Sequence, residues 1–404
     1  MTNGKNDGVL GRYYADLHIH IGRTASGRPV KITGARTLTL ANILHEAAHV
    51  KGIDLVGVID SHVPEVLDEL ERAMDEHGWC EHREGGISTG KVTLLLGSEI
   101  EVYDDRCHGP IHVLAFLPTV QAMRAFSAWL GKRVKNVSLS SQRIYASGRE
   151  LQAAVKEWGG WFIPAHAFTP FKSLYGKGVE RSLTEVFDPD QIDAIELGLS
   201  ADTSMADQIA ELHRYPYLTN SDAHSLRKIA REYEQVQLAA PTFAELEKAF
   251  RNEDGRTIIA NYGLNPKLGK YHRTVCEGCL TPVSPEAERC PACGHHRFIK
   301  GVSDRLKELK TAEHGPKRPP YVYQVPLEFI PGLGLKSYEK LLSRFGTEMR
   351  VLHEATEEEI AETVGQKLAR LIVLARSGAL AIEAGGGGKY GKVQEKCRVR
   401  KRRG

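Results

Sequence analysis

A chain of 404 residues exceeds what one ordinary core organises, so two or more domains are expected. Hydrophobic content of 41% and charged content of 26% are ordinary for a globular protein in water, and a net charge of +3 is too small to define a partner. No apolar run reaches the roughly 18 residues of a membrane span, and the N-terminus lacks an apolar leader core, so no membrane partner is expected and the cytoplasm is the default.

In chain order, short apolar runs alternate with amphipathic stretches from about Tyr13 to Tyr262. The runs include DLVGVID (54–60), VTLLLG (92–97), IHVLAF (111–116), WFIPAH (161–166) and DAIEL (193–197). Helical patterns include 40–52, 63–78, 120–132 and 242–252. This alternation predicts a parallel α/β sheet or barrel, whose chemistry lies at the carboxyl ends of the strands. Histidines and acids gather at those ends. His18 and His20 lie in or just after YYADLHI, Asp60 and His62 end DLVGVID, Glu99 follows VTLLLG and His166 ends WFIPAH; Asp222 and His224 follow PYLTN. A lone histidine at such a place is usually an ordinary packed residue. A set of His, Asp and Glu from separate strands predicts a multinuclear metal centre with open positions.

The order DLHIH, DSH, GSEIE, IHVLAF, PAHAF and SDAH resembles the PHP (polymerase and histidinol phosphatase) superfamily over roughly residues 13–262. The resemblance implies a distorted (β/α)7 barrel that hydrolyses phosphoesters with two or three divalent metals (Zn, Mn or Mg). Motif by motif, His18, His20, Glu99 and Asp222 would hold one ion. Glu99, His112 and His166 would hold a second, and His62 and His224 a third. His108 is a neighbouring rival to His112, and Asp60 is a ligand or a supporting partner. Asp222, Glu99 and His166 would be the catalytic groups. The stretch Gly22–Lys31 departs from the family pattern. It carries no acid, so a third ion would need a ligand from elsewhere.

The next segment holds Cys276, Cys279, Cys290 and Cys293 as two Cys-x2-Cys turns, which predicts one structural zinc with no open position. Cys80, Cys107 and Cys397 are scattered, which is metal-site rather than disulfide usage. The polar stretch before Val325 reads as a linker. IPGLGLKSYEKLLSRFG (330–346) resembles a helix-hairpin-helix element, with Gly332, Gly334 and Lys336 facing a DNA phosphate. The later helices resemble its second half, with Gly365 and Lys367, although Thr363 replaces the first glycine there. Between Gly385 and Gly404 stand Lys389, Lys392, Lys396, Arg398, Arg400, Lys401, Arg402 and Arg403 against Glu395 alone. A basic block of this kind beside a nucleic-acid module suits non-specific phosphate contact.

Barrel, zinc module and helical end, in this order, resemble the endonuclease Q family. Five segments are expected: a catalytic barrel (1–270), a four-Cys module (271–300), a linker (301–324), a helix-hairpin-helix-like DNA-binding domain (325–382) and a Gly-rich basic tail (383–404). The resemblance implies a metal-dependent repair endonuclease. It would cut 5′ to deaminated bases (uracil, hypoxanthine, xanthine) or abasic sites, leaving 3′-hydroxyl and 5′-phosphate ends. DNA carrying such lesions would be its partner; no repair or replication clamp is identifiable. Phe168, Phe171 and Tyr175, with Lys172 and the nearby Lys177, would line the lesion pocket. Two alternatives remain open: a small-molecule phosphatase of the histidinol phosphatase type, and a damaged-DNA-binding protein without catalysis.

Overall fold

The computed structural model describes residues 9–385 and 391–397. Much of the basic tail, including Lys389 and Arg398 to Arg403, lies outside them. Among the described residues no helix is long and apolar enough to cross a membrane.

The strands are β1 (Gly11–Ile19), β2 (Leu55–Val58), the short β3 (Cys80–Glu81) and β4 (Ile87–Ser88), β5 (Thr93–Val102), β6 (Ile111–Leu117) and β7 (Trp161–Pro164). There follow β8 (Ile195–Glu196), β9 (Tyr217–Leu218), β10 (Tyr233–Leu238) and β11 (Thr257–Gly263). Helices lie between them: α1 (Leu40–Glu46), α2 (Pro64–His77), α3 (Val120–Gly131), α4 (Gly148–Glu157), the short α5 (Thr203–Ala206) and α6 (Phe243–Arg251). Their starts are written locally. Thr39, Thr119 and Thr242 accept first-turn N–H groups, Ser147 and Glu150 form a reciprocal capping box, and α2 opens on Pro64.

β1, β2 and β5 run parallel, as helical crossovers require. The sheet as a whole is mixed, not parallel. β6 is antiparallel to β5, β7 to β6, and β10 to β1. The reason is connection length: the loop from Val102 to Ile111 carries no helix and turns the chain straight back. β8 and β9 form a separate parallel pair. Asp193 N donates to Phe162 O (3.0 Å), and Ala223 N donates to His18 O (3.1 Å), so the pair bridges β7 and β1 and closes a distorted ring. Inside the ring Leu17, Leu55, Leu95, Leu114, Phe116 and Ile163 form one core, which α6 plugs from below with Phe243 and Phe250. Trp161 stacks on Phe243 at 3.7 Å between ring centroids.

The Cys-rich segment is a small hairpin of β12 (Val275–Cys276) and β13 (Phe298–Ile299). The expected linker is structured: it forms α7 (Val302–Leu309) and β14 (Tyr321–Tyr323), and β14 extends the barrel sheet beside β11. It is moored in two ways: Val302, Leu306 and Leu309 of α7 are buried in the core, and two arginines reach barrel carbonyls. Arg305 donates to the carbonyls of Tyr175, Val179 and Glu180, and Arg318 to those of Leu212, His213 and Tyr215. The helical end comprises α8 (Leu335–Phe345), α9 (Glu348–His353), α10 (Glu357–Val364) and α11 (Gln366–Arg376). It is docked on the barrel by a buried ion pair, Lys51 Nζ to Glu348 Oε1 at 2.8 Å, and by Tyr233, whose hydroxyl stands 2.6 Å from His353 Nε2. Part of the expected tail is ordered too: β15 (Leu380–Glu383) pairs with β16 (Lys392–Cys397).

Candidate metal centre and its cleft

Three features of the barrel bring distant histidines and acids together. First, the β1–β2 register shifts between Asp16 and Ile19, and beyond the shift His18 and His20 face the centre. Second, Glu99 and Glu101 are two apart on β5 and share a face. His112 lies directly opposite Glu101 on β6, so its ring sits between both acids. Third, His166 and Asp222 take φ angles of 31° and 45°, left-handed values that non-glycine residues adopt rarely and mostly at functional sites. Gly198 permits the first of these: a Cβ there would stand 2.8 Å from the His166 Cβ.

Ligand atoms of His18, His20 and Glu99 lie within 4.8 Å of one another. So do those of Glu99, His112 and His166, and those of His20, Asp222 and His224. Glu99 divides its oxygens: Oε1 faces His18 Nε2 (3.6 Å), His112 Nδ1 (2.8 Å) and His166 Nε2 (3.4 Å), while Oε2 faces His20 Nε2 (3.7 Å). Asp222 Oδ1 stands 3.5 Å from His18 Nε2 and 3.6 Å from His20 Nε2.

The donor set fits metal ions. His18 Nδ1 donates to Glu196 Oε1 (2.9 Å) and His20 Nδ1 to Asp60 Oδ2 (3.1 Å), which turns both Nε2 lone pairs toward the acids. Those Nε2 atoms, and His112 Nε2, are buried without a hydrogen-bond partner. Buried orphans are costly unless a ligand satisfies them. Asp60 thus stands behind a histidine rather than among the ligand atoms. His62 is also buried, but Ser98 Oγ lies 2.8 Å from its Nδ1 and the Leu139 backbone engages its ring. It joins no ligand cluster among the described residues. His108, the rival of His112, is exposed and pairs with Glu185 instead.

Electrostatics follow the same layout. Burial opposes ionisation of Glu99 and Asp222, yet the surrounding imidazoles, with Lys31 beside Glu99, hold both carboxyls well below the usual range. Burial pushes His20 down to about 4, with the Lys31 ammonium adding to it. Glu101 is held down to about 2, chiefly by the His112 imidazole, whose Nε2 stands 3.7 Å from its Oε2, and then by Lys172.

Glu196, Glu101 and Lys31 escaped the motif reading. The pattern GSEIE already carried Glu101 on the face of Glu99, and Glu196 ends a strand run as Glu99 does. Glu196 also accepts the His166 backbone N–H (2.7 Å) and the Asn220 amide (2.8 Å).

A cleft of about 480 Å³ opens over the centre, lined by Lys31, Glu99, His166, Phe171, Asp222 and Tyr271. A smaller cavity of about 180 Å³ adjoins it, between Thr169, Leu199, Ser200, Lys270, Tyr271 and Asp222. The expected lesion aromatics need correction. Phe168 and Tyr175 are buried and stack on each other at 5.5 Å, and the Tyr175 hydroxyl donates to Glu211. Their apolar surface belongs to the core under the loop. Phe171 is exposed, with Lys177 5.6 Å above its ring and Tyr271 edge-on at 5.5 Å. Lys172 pairs with Glu101 at 2.9 Å. A larger cavity, about 680 Å³, lies elsewhere; its Lys156, Arg214 and Arg318 already pair with Asp193, Asp190 and Asp207, and it holds no ligand cluster among the described residues.

The four cysteines form a second cluster, with Sγ–Sγ distances of 3.6 Å (Cys276–Cys293) and 3.5 Å (Cys279–Cys290). Four thiolates around a tetrahedral zinc stand about 3.8 Å apart, so the set fits one closed ion. In the helical end, Thr347 and Thr356 cap α9 and α10, whereas α8 and α11 begin at Gly334 and Gly365 without a side-chain cap. Gly332 (φ 81°) and Gly365 (φ 89°) make the turns. Both helices therefore offer first-turn N–H groups to an anion, near Lys336 and Lys367.

Barrel, ligand clusters and cleft together define a metal-dependent enzyme on a mixed α/β barrel. No family model matches the chain. It is 58% identical over 384 residues to the uncharacterized protein YqxK of Bacillus subtilis, covering 95% of this chain and 99% of that one. It is 39% identical over 257 residues to the uncharacterized protein MJ0043 of Methanocaldococcus jannaschii, covering 57% of this chain and 32% of that one. Among solved structures it resembles the lesion-specific endonuclease PfuEndoQ of Pyrococcus furiosus, with a TM-score of 0.82, 34% identity and 95% of each chain covered. It also resembles an Endonuclease Q complex with a 27-mer duplex carrying an abasic lesion at the active site. That TM-score is 0.81, with 33% identity over 95% of this chain and 96% of that one. The chain belongs to the endonuclease Q family, and it is an enzyme of the endonuclease class.

Proposed function

We propose that this chain is a repair endonuclease that hydrolyses the phosphodiester 5′ to a deaminated base (uracil, hypoxanthine or xanthine) or an abasic site, leaving 3′-hydroxyl and 5′-phosphate ends. The observation that carries the reading is the 180 Å³ cavity beside Asp222 and His166, which opens off the metal-ligand cleft. It has room for one extruded base next to the place where phosphate would sit, and a weakly paired or missing base costs least to extrude. Tyr271, Thr169 and Ser200 line it, in place of Phe168 and Tyr175; Asn220 lies alongside, but its amide is already taken by Leu17 N and Glu196. Phe171 remains available at the rim to stack on a neighbouring base.

His18, His20, Glu99 and Asp222 would hold one catalytic ion and Glu99, His112 and His166 another. Zinc, manganese and magnesium all suit parts of this mixed nitrogen and oxygen set. Such ions supply an acidified water and polarise the phosphoryl oxygen. The chain's own groups do the rest. Glu196 and Asp60 fix the histidine tautomers, Asp222 accepts a proton from the attacking water, and the uncapped starts of α8 and α11 grip phosphates away from the cut. The cysteine module would carry one structural zinc.

The test is incubation of end-labelled duplexes, each with one defined lesion, in manganese or magnesium. The expected result is a break 5′ to the lesion with a 3′-hydroxyl end. Equal cutting of undamaged duplex, or release of free base before any strand break, would sink the reading.

A further inference from the structure

The loop between β1 and α1 has no acid, yet it delivers a charged side chain into the centre. Lys31 is 14% exposed at its side chain, and its Nζ donates to Glu99 Oε2 (3.1 Å) and Ser141 Oγ (2.7 Å). Ser141 in turn donates to the same Glu99 oxygen, and its backbone takes a left-handed φ of 54° to do so. The placement is built rather than incidental. Lys31 N donates to Ile21 O, two residues past β1, Ser140 N donates to Val30 O, and Ala35 N donates to His224 O. The first bond folds the loop on itself, and the other two tie it to the segments of Ser140 and His224 that frame the cleft.

Two observations say what the ammonium does there. It stands on the Oε2 side of Glu99, away from His112 and His166, where Asp222 and His224 also converge. His62, the other nearby imidazole, is already engaged by Ser98 and the Leu139 backbone. A positive charge is thus supplied on that side, where His20 and Asp222 are shared with the first ion and only His224 is left over. An ammonium also has three N–H groups, and Glu99 and Ser141 take two. Lys31 also lines the cleft above the centre, so a third N–H is left for a group bound there.

We propose that Lys31 is a catalytic residue that replaces a third cation: its ammonium ties Glu99 Oε2 in place and binds a non-bridging oxygen of the phosphodiester. This rests on the phosphodiesterase reading, but not on the choice of lesion. A fixed cation aimed at the phosphoryl oxygens stabilises the charge that grows on them as the bond to the leaving oxygen breaks. Lysine does this as a point charge and needs no ligands of its own.

The test uses the full metal-loaded chain, with inorganic phosphate as the probe in calorimetric titration and a lesion duplex for single-turnover cleavage. Lys31→Met keeps the stem and removes the charge. It should weaken phosphate binding about tenfold and slow cleavage on the order of 100-fold. Metal analysis should find the same barrel content in both chains, about two ions each. Lys31→Arg should restore most of the phosphate affinity, which a packing role would not predict. Should Lys31→Met fail to fold, Lys31→Gln carries the same measurements. Unchanged phosphate affinity overturns the proposal. So does loss of barrel metal from a variant with a native circular dichroism spectrum, or a third barrel ion in the native chain. If the native chain leaves every lesion duplex intact, the repair reading fails, and the phosphate titration still decides the role of Lys31.

Discussion

The four-cysteine module takes all its ligands from one stretch, Cys276 to Cys293, whereas the barrel cluster collects its ligands from His18 to His224. The first set is closed, because four thiolates complete a tetrahedron. The second is open: its imidazole nitrogens face a cleft, and carboxylates behind them fix the ring orientation. A local, closed set suits holding a fold, and a distributed, open one suits chemistry. The same contrast governs what each would lose on mutation.

The largest effect is expected at Asp222. Its Oδ1 faces both His18 and His20, so Asp222→Asn removes a ligand charge and the proton acceptor together. Nicking should fall on the order of 10³-fold or more, while gel-shift affinity for lesion DNA is kept. Substantial residual nicking would break the assignment of the open cluster to catalysis.

The closed cluster should behave differently. Cys276→Ser with Cys279→Ser should remove about one zinc per chain and leave the barrel metals in place. Metal analysis by mass spectrometry checks it; unchanged zinc would mean that the cysteines hold none. A milder effect is expected from the helical end, where Lys336→Ala with Lys367→Ala should lower the slope of log affinity against log salt by about 0.9 per lost phosphate contact. An unaltered slope would remove α8 and α11 from the DNA interface. Point substitutions are the better probe than truncation after Gln324, because the Lys51–Glu348 pair and Tyr233 tie this end to the barrel.

Legibility in the sequence divides along the same line. The cysteine spacing is local, so it could be read directly. Strand-and-helix alternation and the histidines at strand ends were also readable, because strand ends converge in any barrel. What stayed hidden depends on long-range pairing. Glu196 matters only because β8 brings it under His18, 178 residues away in sequence. Lys31 matters because a loop with no ligand motif folds back onto Glu99. The aromatic run Phe168 to Tyr175 read as a pocket, but aromatic residues also fill cores, and burial cannot be seen without the fold. The segment before Val325 read as a linker because the apolar face of α7, Val302, Leu306 and Leu309, is short and the Pro-containing stretch after it is held by Arg318 reaching barrel carbonyls, which leaves no apolar pattern.

The smallest effect separates paired from unpaired acids within the barrel. Glu99, buried, and Asp222, half-buried, lie among imidazoles and stay ionised, whereas Glu232 is fully buried and its Oε2 lacks a hydrogen-bond partner. Burial is the main cause that pushes its carboxyl from 4.5 up to about 8, with the Leu264 N–H and the Arg231 guanidinium opposing and Glu196 and Asp16 adding repulsion. The sign follows from proton counts. Below about pH 4.5 both folded and unfolded chains carry the proton. Between about 4.5 and 8 the unfolded chain has released it and the folded chain has not, so stability falls as pH rises through that window. Above it both are ionised and the penalty is constant. Glu232→Gln keeps an acceptor for Leu264 N and carries no charge to bury. It should therefore stabilise the chain on the order of 2–4 kcal/mol near pH 8.5 and far less near pH 5, measured as the shift in urea midpoint. An equal shift at both values would mean that the substitution acts through packing, and that this acid is solvated in the folded chain.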